Sequence, residues 1–296
     1  MYKLADILRE LDFDEVKILR ALEELANRYE YAPVDEISNK STLEVDDVIF
    51  RLGRLNKVRL VQRSAKPYLG YRLTRSGYDA SALHELASRD IIVSIGQPYG
   101  VGKESRVYRA LDAEGHEVAV KLLRWGHPSF RQVRRLRSVD DISFRSWMEY
   151  CRQAAAREYK ALRMLKDVNG RVPKPIALNR HVIVMSCMEG NLLLHINKLT
   201  NPTQVLDRII QQICLAFKVA HIVHGDLSEY NIFVSEDEQV TLFDWPQWQP
   251  IDHPNIQWLL KRDVSNVLKF FKRRFRIFTD LKQTLGQIMN DVDEEA

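Results

Sequence analysis

His224-Gly225-Asp226-Leu227-Ser228-Glu229-Tyr230-Asn231-Ile232-Phe233-Val234 carries an aspartate and, five positions later, an asparagine that opens directly onto three apolar residues with strand character. A turn at Ser235–Glu238 leads to a second apolar run, Val240–Phe243, which ends on Asp244 in Asp244-Trp245-Pro246. Closing that hairpin returns a carboxylate to the side of Asn231, as a Mg²⁺ site built from oxygen ligands requires. Asp226 can accept a proton or orient an attacking oxygen.

Toward the N-terminus, Val118-Ala119-Val120-Lys121 puts a lysine at the end of an apolar strand. An ammonium there needs a partner, and Glu158 on the long helix marked by Tyr150, Ala154, Leu162 and Leu165 is the best one available. Further upstream, Gly96-Gln97-Pro98-Tyr99-Gly100-Val101-Gly102-Lys103-Glu104-Ser105 lies between expected strands at Ile91–Ile95 and Val107–Leu111. Glycines let a backbone approach phosphates, and Lys103 and Ser105 can meet their oxygens. The spacing is not that of a P-loop, and the segment runs strand to strand. Read singly, the glycine segment is equally a tight turn and Lys121 an edge-strand lysine reaching for water. Their order, glycine-rich hairpin, strand lysine, helix glutamate, Asp-to-Asn loop and metal aspartate, is what is specific.

The bulk properties set the frame. A chain of 296 residues, 45% hydrophobic and 28% charged, fits two or three globular domains and not extended disorder. Cys151, Cys187 and Cys214 are too few and too scattered for a disulfide framework or a zinc site, which suits a reducing compartment. No signal peptide or membrane span is readable, so a cytoplasmic location without membrane contact is expected.

Residues 1–80 carry helical spacings at Leu4, Ile7, Leu8 and Leu11, at Val16, Leu19, Leu22 and Leu25, and at Val45, Val48, Ile49, Leu52 and Leu55, the last helix capped by Thr42. A short helix is expected around Val34–Ile37. Two strands, Leu60-Val61-Gln62 and Tyr71-Arg72-Leu73, complete a winged-helix pattern, and Thr74 caps a helix leading into the next domain. Arg51, Arg54 and Lys57 sit opposite the apolar stripe, with Arg63 on the wing, and form a candidate nucleic-acid face. Between residues 124 and 145 the periodicity fails and arginines dominate, which reads as a mobile basic loop. Beyond Asp244, Val264, Val267, Leu268 and Phe271 mark a packing helix.

The sequence resembles the Rio family of atypical serine/threonine protein kinases, in the subfamily with an N-terminal winged helix. The resemblance is carried by Gly102-Lys103-Glu104-Ser105, Lys121, His224 to Asn231, and Asp244-Trp245-Pro246-Gln247. It implies an α+β chain: a winged helix over 1–80, a connecting helix over 81–90, a kinase-like N-lobe and hinge over 91–189, and a reduced C-lobe over 190–296. It implies ATP and Mg²⁺ as cofactors, with Mn²⁺ able to substitute. Gly100, Gly102, Lys103, Glu104 and Ser105 would line the phosphates, Lys121 would hold the α and β phosphates, and Glu158 would position that lysine. Met185, Met188 and Glu189 would meet adenine at the hinge, Asp226 would be the catalytic aspartate, and Asn231 and Asp244 would hold the metal.

The resemblance further implies action on the small ribosomal subunit precursor and its rRNA, with a protein phosphoacceptor, or ATP hydrolysis through a phosphoaspartate. Two other readings accompany it: a nucleotide-gated RNA-binding assembly factor, and a winged-helix transcription regulator. Departures from ordinary kinases are the missing arginine in His224-Gly225-Asp226, Trp245-Pro246 in place of Phe-Gly, and only 52 residues after Asp244, too few for a full peptide-docking region.

Overall fold

The computed structural model describes residues 10–101, 105–124 and 144–290. Leu4, Ile7 and Leu8, the loop residues Gly102, Lys103 and Glu104, and nearly all of the basic segment 124–145 lie outside the described residues. The chain divides into two compact units, Met1–Cys151 with Asn179–Val182, and Arg152–Leu178 with Ile183–Ala296.

The first unit begins with α1 (Phe13–Leu25), opened by a reciprocal capping box. Glu15 N–H donates to Asp12 Oδ1 at 2.8 Å, and Asp12 N–H donates to Glu15 Oε2 at 3.2 Å. Then come β1 (Ala32–Pro33), α2 (Val34–Ser41), α3 (Val45–Lys57), the wing strands β2 (Val61–Ser64) and β3 (Gly70–Leu73), and α4 (Arg75–Ser88). β3 is central in an antiparallel sheet, pairing Tyr71 with Ala32 and Leu73 with Val61. Ile18, Leu19, Leu22, Ile37, Leu52, Leu55 and Leu83 close the core beneath it. Thr74 caps α4 as the sequence predicts, accepting from Gly77 N–H at 3.2 Å.

Two expectations for α3 change. Thr42 does not cap it: Thr42 stands in the left-handed region at φ 58° and ends α2, and Glu44 takes the N-cap position without a side-chain hydrogen bond. The apolar stripe is also narrower than the spacing implied. Val48, Leu52 and Leu55 are buried, whereas Val45 and Ile49 are 40% and 45% exposed.

An antiparallel meander follows: β4 (Ser94–Val101), β5 (Ser105–Leu111) and β6 (Glu117–Leu123). β4 starts three residues later than expected and runs through the glycine-rich stretch, with register shifts around Pro98. The hairpin turn at Asp112 to Gly115 is as predicted, with Asp112 Oδ1 accepting from Glu114 N–H at 3.0 Å and His116 N–H at 2.9 Å. The meander is clamped to the helices of its own unit. Asp79 on α4, 1% exposed, receives Arg124 from the end of β6 and lies 2.9 Å from His181 Nε2. Arg180 reaches Glu23 on α1 at 2.8 Å and Glu85 on α4 at 2.7 Å.

In the second unit α5 (Phe144–Asp167) continues from Arg152. It is followed by β7 (Pro175–Asn179), β8 (Val182–Ser186), β9 (Asn191–Leu192), α6 (Pro202–Lys218), β10 (Ile222–Val223), β11 (Ile232–Val234), β12 (Val240–Leu242), β13 (Gln249–Pro250), α7 (Ile256–Phe275) and α8 (Leu281–Asn290). β7 escapes the sequence pattern because Pro173 and Pro175 read as stops. Proline at N1 and Asn201 at the N-cap start α6. α7 buries Leu260, Val264, Val267, Leu268, Phe270 and Phe271, each contributing roughly 1.5–3 kcal/mol.

Candidate functional site

The hairpin predicted from the sequence forms in register. Ile232 pairs with Leu242 and Val234 with Val240, and Phe243 N–H donates to Asn231 O at 3.1 Å. Asp244 therefore follows directly on the residue bonded to Asn231. Asn231 is 8% exposed, and its Nδ2 donates to Asp226 O at 2.8 Å. That bond fixes the amide orientation and leaves Oδ1 as the face offered to a cation. Asp226 is exposed and Asp244 half-buried. Asp244 stands at φ 66°, a left-handed conformation that an aspartate tolerates better than most side chains and that is held by its surroundings.

Those surroundings are unusually fixed. Arg157 on α5 donates to Pro246 O at 3.2 Å and to Trp248 O, while Trp248 Nε1 donates back to Arg157 O at 2.8 Å. Trp245 is 1% exposed, with its ring 4.4 Å from that of His224, and His224 Nε2 lies 3.0 Å from Phe243 O. The loop after Asp244 is thus pinned on one side to α5, one residue from buried Glu158, and on the other to the His224 loop. Gly225 explains the missing arginine. It has φ +78°, and a Cβ there would meet Gln247 O at 2.6 Å.

The residue that sequence reasoning missed is Asp263. It is 1% exposed on α7 and accepts Gly225 N–H at 2.8 Å and Leu227 N–H at 3.2 Å, bracketing Asp226. Arg262 donates to Gly225 O, and Asn266 Nδ2 to Leu227 O at 3.1 Å. Burial pushes the Asp263 carboxyl up to about 6, against the pull of the two N–H groups and Arg262. The available signal was an acid in the apolar register of Leu260, Val264 and Val267.

Lys121 lies in the first unit, 4% exposed on β6 opposite Val107, and Ser105 opens β5 in the same unit. Gly100 is in β4. In the second unit Met185 is buried at the end of β8, whereas Met188 and Glu189 line a cleft of about 640 Å³ with Lys166, Arg171 and Lys174.

No cluster of three or more His, Cys, Asp or Glu side chains converges on a metal position among the described residues. The donor chemistry at Asn231 and Asp244 nevertheless fits Mg²⁺, which takes one or two protein oxygens and completes its shell with water and phosphate. Arg51 and Arg54 do not form an open cationic face. Arg51 bridges Asp12 and Asp14, and Arg54 binds Glu15 at 2.9 Å. Lys57 and Arg63 are exposed and make no ion pair among the described residues.

Comparison with known proteins gives a consistent answer. The family profile described as RIO domain matches residues 106–284, and that described as Rio2, N-terminal, matches residues 8–89. The chain is similar to the RIO-type serine/threonine-protein kinase Rio2 of Methanocaldococcus jannaschii, 37% identical over 251 residues, which covers 83% of this chain and 91% of that protein. It is 35% identical to the serine/threonine-protein kinase RIO2 of Caenorhabditis elegans over 273 residues, 91% of this chain but 51% of that protein, so it spans about half of that relative. Among solved structures it resembles the Rio2 kinase-ADP/Mg²⁺-phosphoaspartate complex from Chaetomium thermophilum, with a TM-score of 0.84 and 30% identity, covering 98% of this chain and 89% of the other.

Proposed function

The chain belongs to the Rio family of atypical serine/threonine kinases, in its Rio2 branch, and on that premise we propose that it is an ATP- and Mg²⁺-dependent phosphotransferase whose γ-phosphoryl acceptor is Asp244. The observation that carries this reading is the hairpin that seats Asp244 beside an Asn231 amide whose nitrogen is already committed to Asp226 O.

Bound Mg²⁺ would neutralise charge on the triphosphate. Asn231 Oδ1 and an Asp244 oxygen would hold it, while the N–H groups sealed by Asp263 keep the Asp226 loop in place. An Asp244 oxygen attacks the γ-phosphorus, the bond to the β–γ bridging oxygen breaks, and ADP leaves with that electron pair. Asp226 then orients water onto the acyl phosphate and takes its proton, so that inorganic phosphate leaves and the carboxylate returns. The phosphoaspartate of the Chaetomium complex supports this route. Lys121 and Glu158, each sealed within its own unit, are the proposed phosphate-contacting lysine and its orienting carboxylate. Ser105, with Gly100, Gly102, Lys103 and Glu104, would serve the phosphates, and Met185, Met188 and Glu189 the adenine. The setting we propose is cytoplasmic maturation of the small ribosomal subunit, in contact with its RNA. No described helix is long and apolar enough to cross a membrane.

Acid quenching during turnover with γ-labelled ATP tests the route. A base- and hydroxylamine-labile phosphate on the wild-type chain, lost in Asp244→Ala and Asp244→Asn, is expected, and turnover in Lys121→Ala should fall by about 100-fold or more. Phosphoserine as the only trapped species at full turnover would sink the aspartyl route.

A further inference from the structure

α7 has two faces with different work. Its inner face packs the core and holds the Asp226 loop. Its outer face carries Trp258, Lys261, Ser265, Lys269 and Lys272 at intervals of three and four, a single stripe along the helix, and Arg276 follows as its left-handed C-cap. From Trp258 to Arg276 the stripe is about 27 Å long at 1.5 Å per residue. All four of its cations are exposed, and none makes an ion pair among the described residues.

Among the described residues, the acids nearest in sequence are engaged elsewhere. Asp263 faces inward beneath the Asp226 loop, Glu229 holds Arg273 at 3.2 Å, and Asp280 accepts Gln283 N–H at 2.7 Å to start α8. Large exposed aromatic rings stand at both ends, each already carrying a cation. Trp258 is 60% exposed with the Arg262 guanidinium 4.9 Å from its centroid, and Phe278 is 71% exposed with Lys272 Nζ at 5.4 Å.

A solvated basic face explains the lysines but not two large rings left in water at either end of the row. Base stacking on exposed aromatics combined with a cationic track is the chemistry of single-strand binding, and the stripe's length suits a footprint at the short end of roughly 4–16 nucleotides. An acidic peptide would satisfy the charges and leave both rings without a purpose. We propose that the outer face of α7, from Trp258 to Phe278, is a docking surface for single-stranded RNA. The inference refines the RNA-partner part of the proposed function and is independent of the phosphoryl-transfer part. RNA bound there lies one helix thickness from the loop that Arg262, Asp263 and Asn266 hold.

The test uses the full chain, a labelled twelve-nucleotide oligouridine and fluorescence anisotropy across 50–200 mM salt. The fourfold variant K261Q/K269Q/K272Q/R276Q should lose at least about tenfold in affinity at 50 mM salt and shallow the log–log salt slope by about 2.8, since each single-strand phosphate contact contributes about 0.7. Trp258→Ala and Phe278→Ala should each lose about fivefold with the slope unchanged. ATP turnover without RNA should be unaltered in the fourfold variant and in Phe278→Ala. Unchanged affinity and slope in the fourfold variant would overturn the surface while leaving RNA binding elsewhere intact, and absence of binding by the wild-type chain would overturn both. A twelve-residue oligoglutamate that competes as well as the RNA, and is indifferent to Trp258→Ala, would assign the face to an acidic protein instead. Should the fourfold variant not fold, the two aromatic variants decide alone, and no loss in either refutes the proposal.

Discussion

Two helices of this chain look alike in composition and are used in opposite ways. α3 places Arg51, Arg54 and Lys57 at helical spacing, as α7 places Lys261, Lys269 and Lys272, with Arg276 at its C-cap. On α3 two of the three cations turn to the start of α1, where Asp12, Asp14 and Glu15 neutralise them. Burial works against ionising Asp12, but the Glu15 N–H and the Arg51 guanidinium hold its carboxyl below the ordinary range. Beside exposed Lys57, α3 also leaves apolar side chains outward: Val45, Ile49 and Phe50, at 40%, 45% and 69% exposed. On α7 the stripe's cations have no such neighbours among the described residues. A basic count read from sequence therefore measures supply, and only the placement of acids decides what is left for a partner.

The inner face of α7 offers the largest effect. Asp263→Ala orphans two buried N–H groups and is expected to destabilise the chain by about 3 kcal/mol and to lower turnover by about 100-fold, read by chemical denaturation and steady-state assay. A turnover loss with no stability change would mean that Asp263 acts on chemistry without holding the loop.

The next effect follows from its titration. The folded-state pKa of about 6 lies above the ordinary 3.8, so the folded chain holds the extra proton between these values and stability falls as pH rises through that window. Ionisation at neutral pH is opposed by roughly 3 kcal/mol, and most of the relief comes below pH 6. Wild type should therefore gain about 1 kcal/mol relative to Asp263→Asn between pH 7 and pH 5 in parallel denaturant titrations. Parallel curves would place Asp263 in a wetter setting than its burial implies.

The two smallest effects belong to α3. Arg51→Ala breaks a partly exposed pair of ion pairs and should cost about 1 kcal/mol without changing the salt slope of RNA binding. Lys57→Gln with Arg63→Gln, the exposed remainder of the winged-helix face, should change oligouridine affinity by less than about twofold. A slope shift near 1.4 in that double variant would restore the winged helix as a nucleic-acid face and reverse the contrast with α7.

How far the sequence could be read depended on the range of the interaction. The hairpin carrying Asn231 and Asp244 was legible because strand, turn and strand are local, its second strand ending at Leu242 one residue before the expected Phe243, and so was the Thr74 cap. β1 was not, since a two-residue strand at Ala32–Pro33 has no pattern of its own and exists only by pairing with Gly70 and Tyr71. The Arg51 and Arg54 pairs span 37 to 39 residues, and spacing within α3 says nothing of them. Asp263 looked like one polar residue in an amphipathic helix, although its register was that of the core. The assignments at Gly102, Lys103 and Glu104 fall outside the described residues.

Gly225 and Leu227 have a further consequence in time. Their amides sit in a loop between short strands, the sort of segment that usually trades its hydrogens with solvent quickly. Both are capped by a carboxylate that is itself sealed inside α7. Their exchange is therefore tied to the opening of that helix, so a stretch drawn as loop keeps the clock of the core.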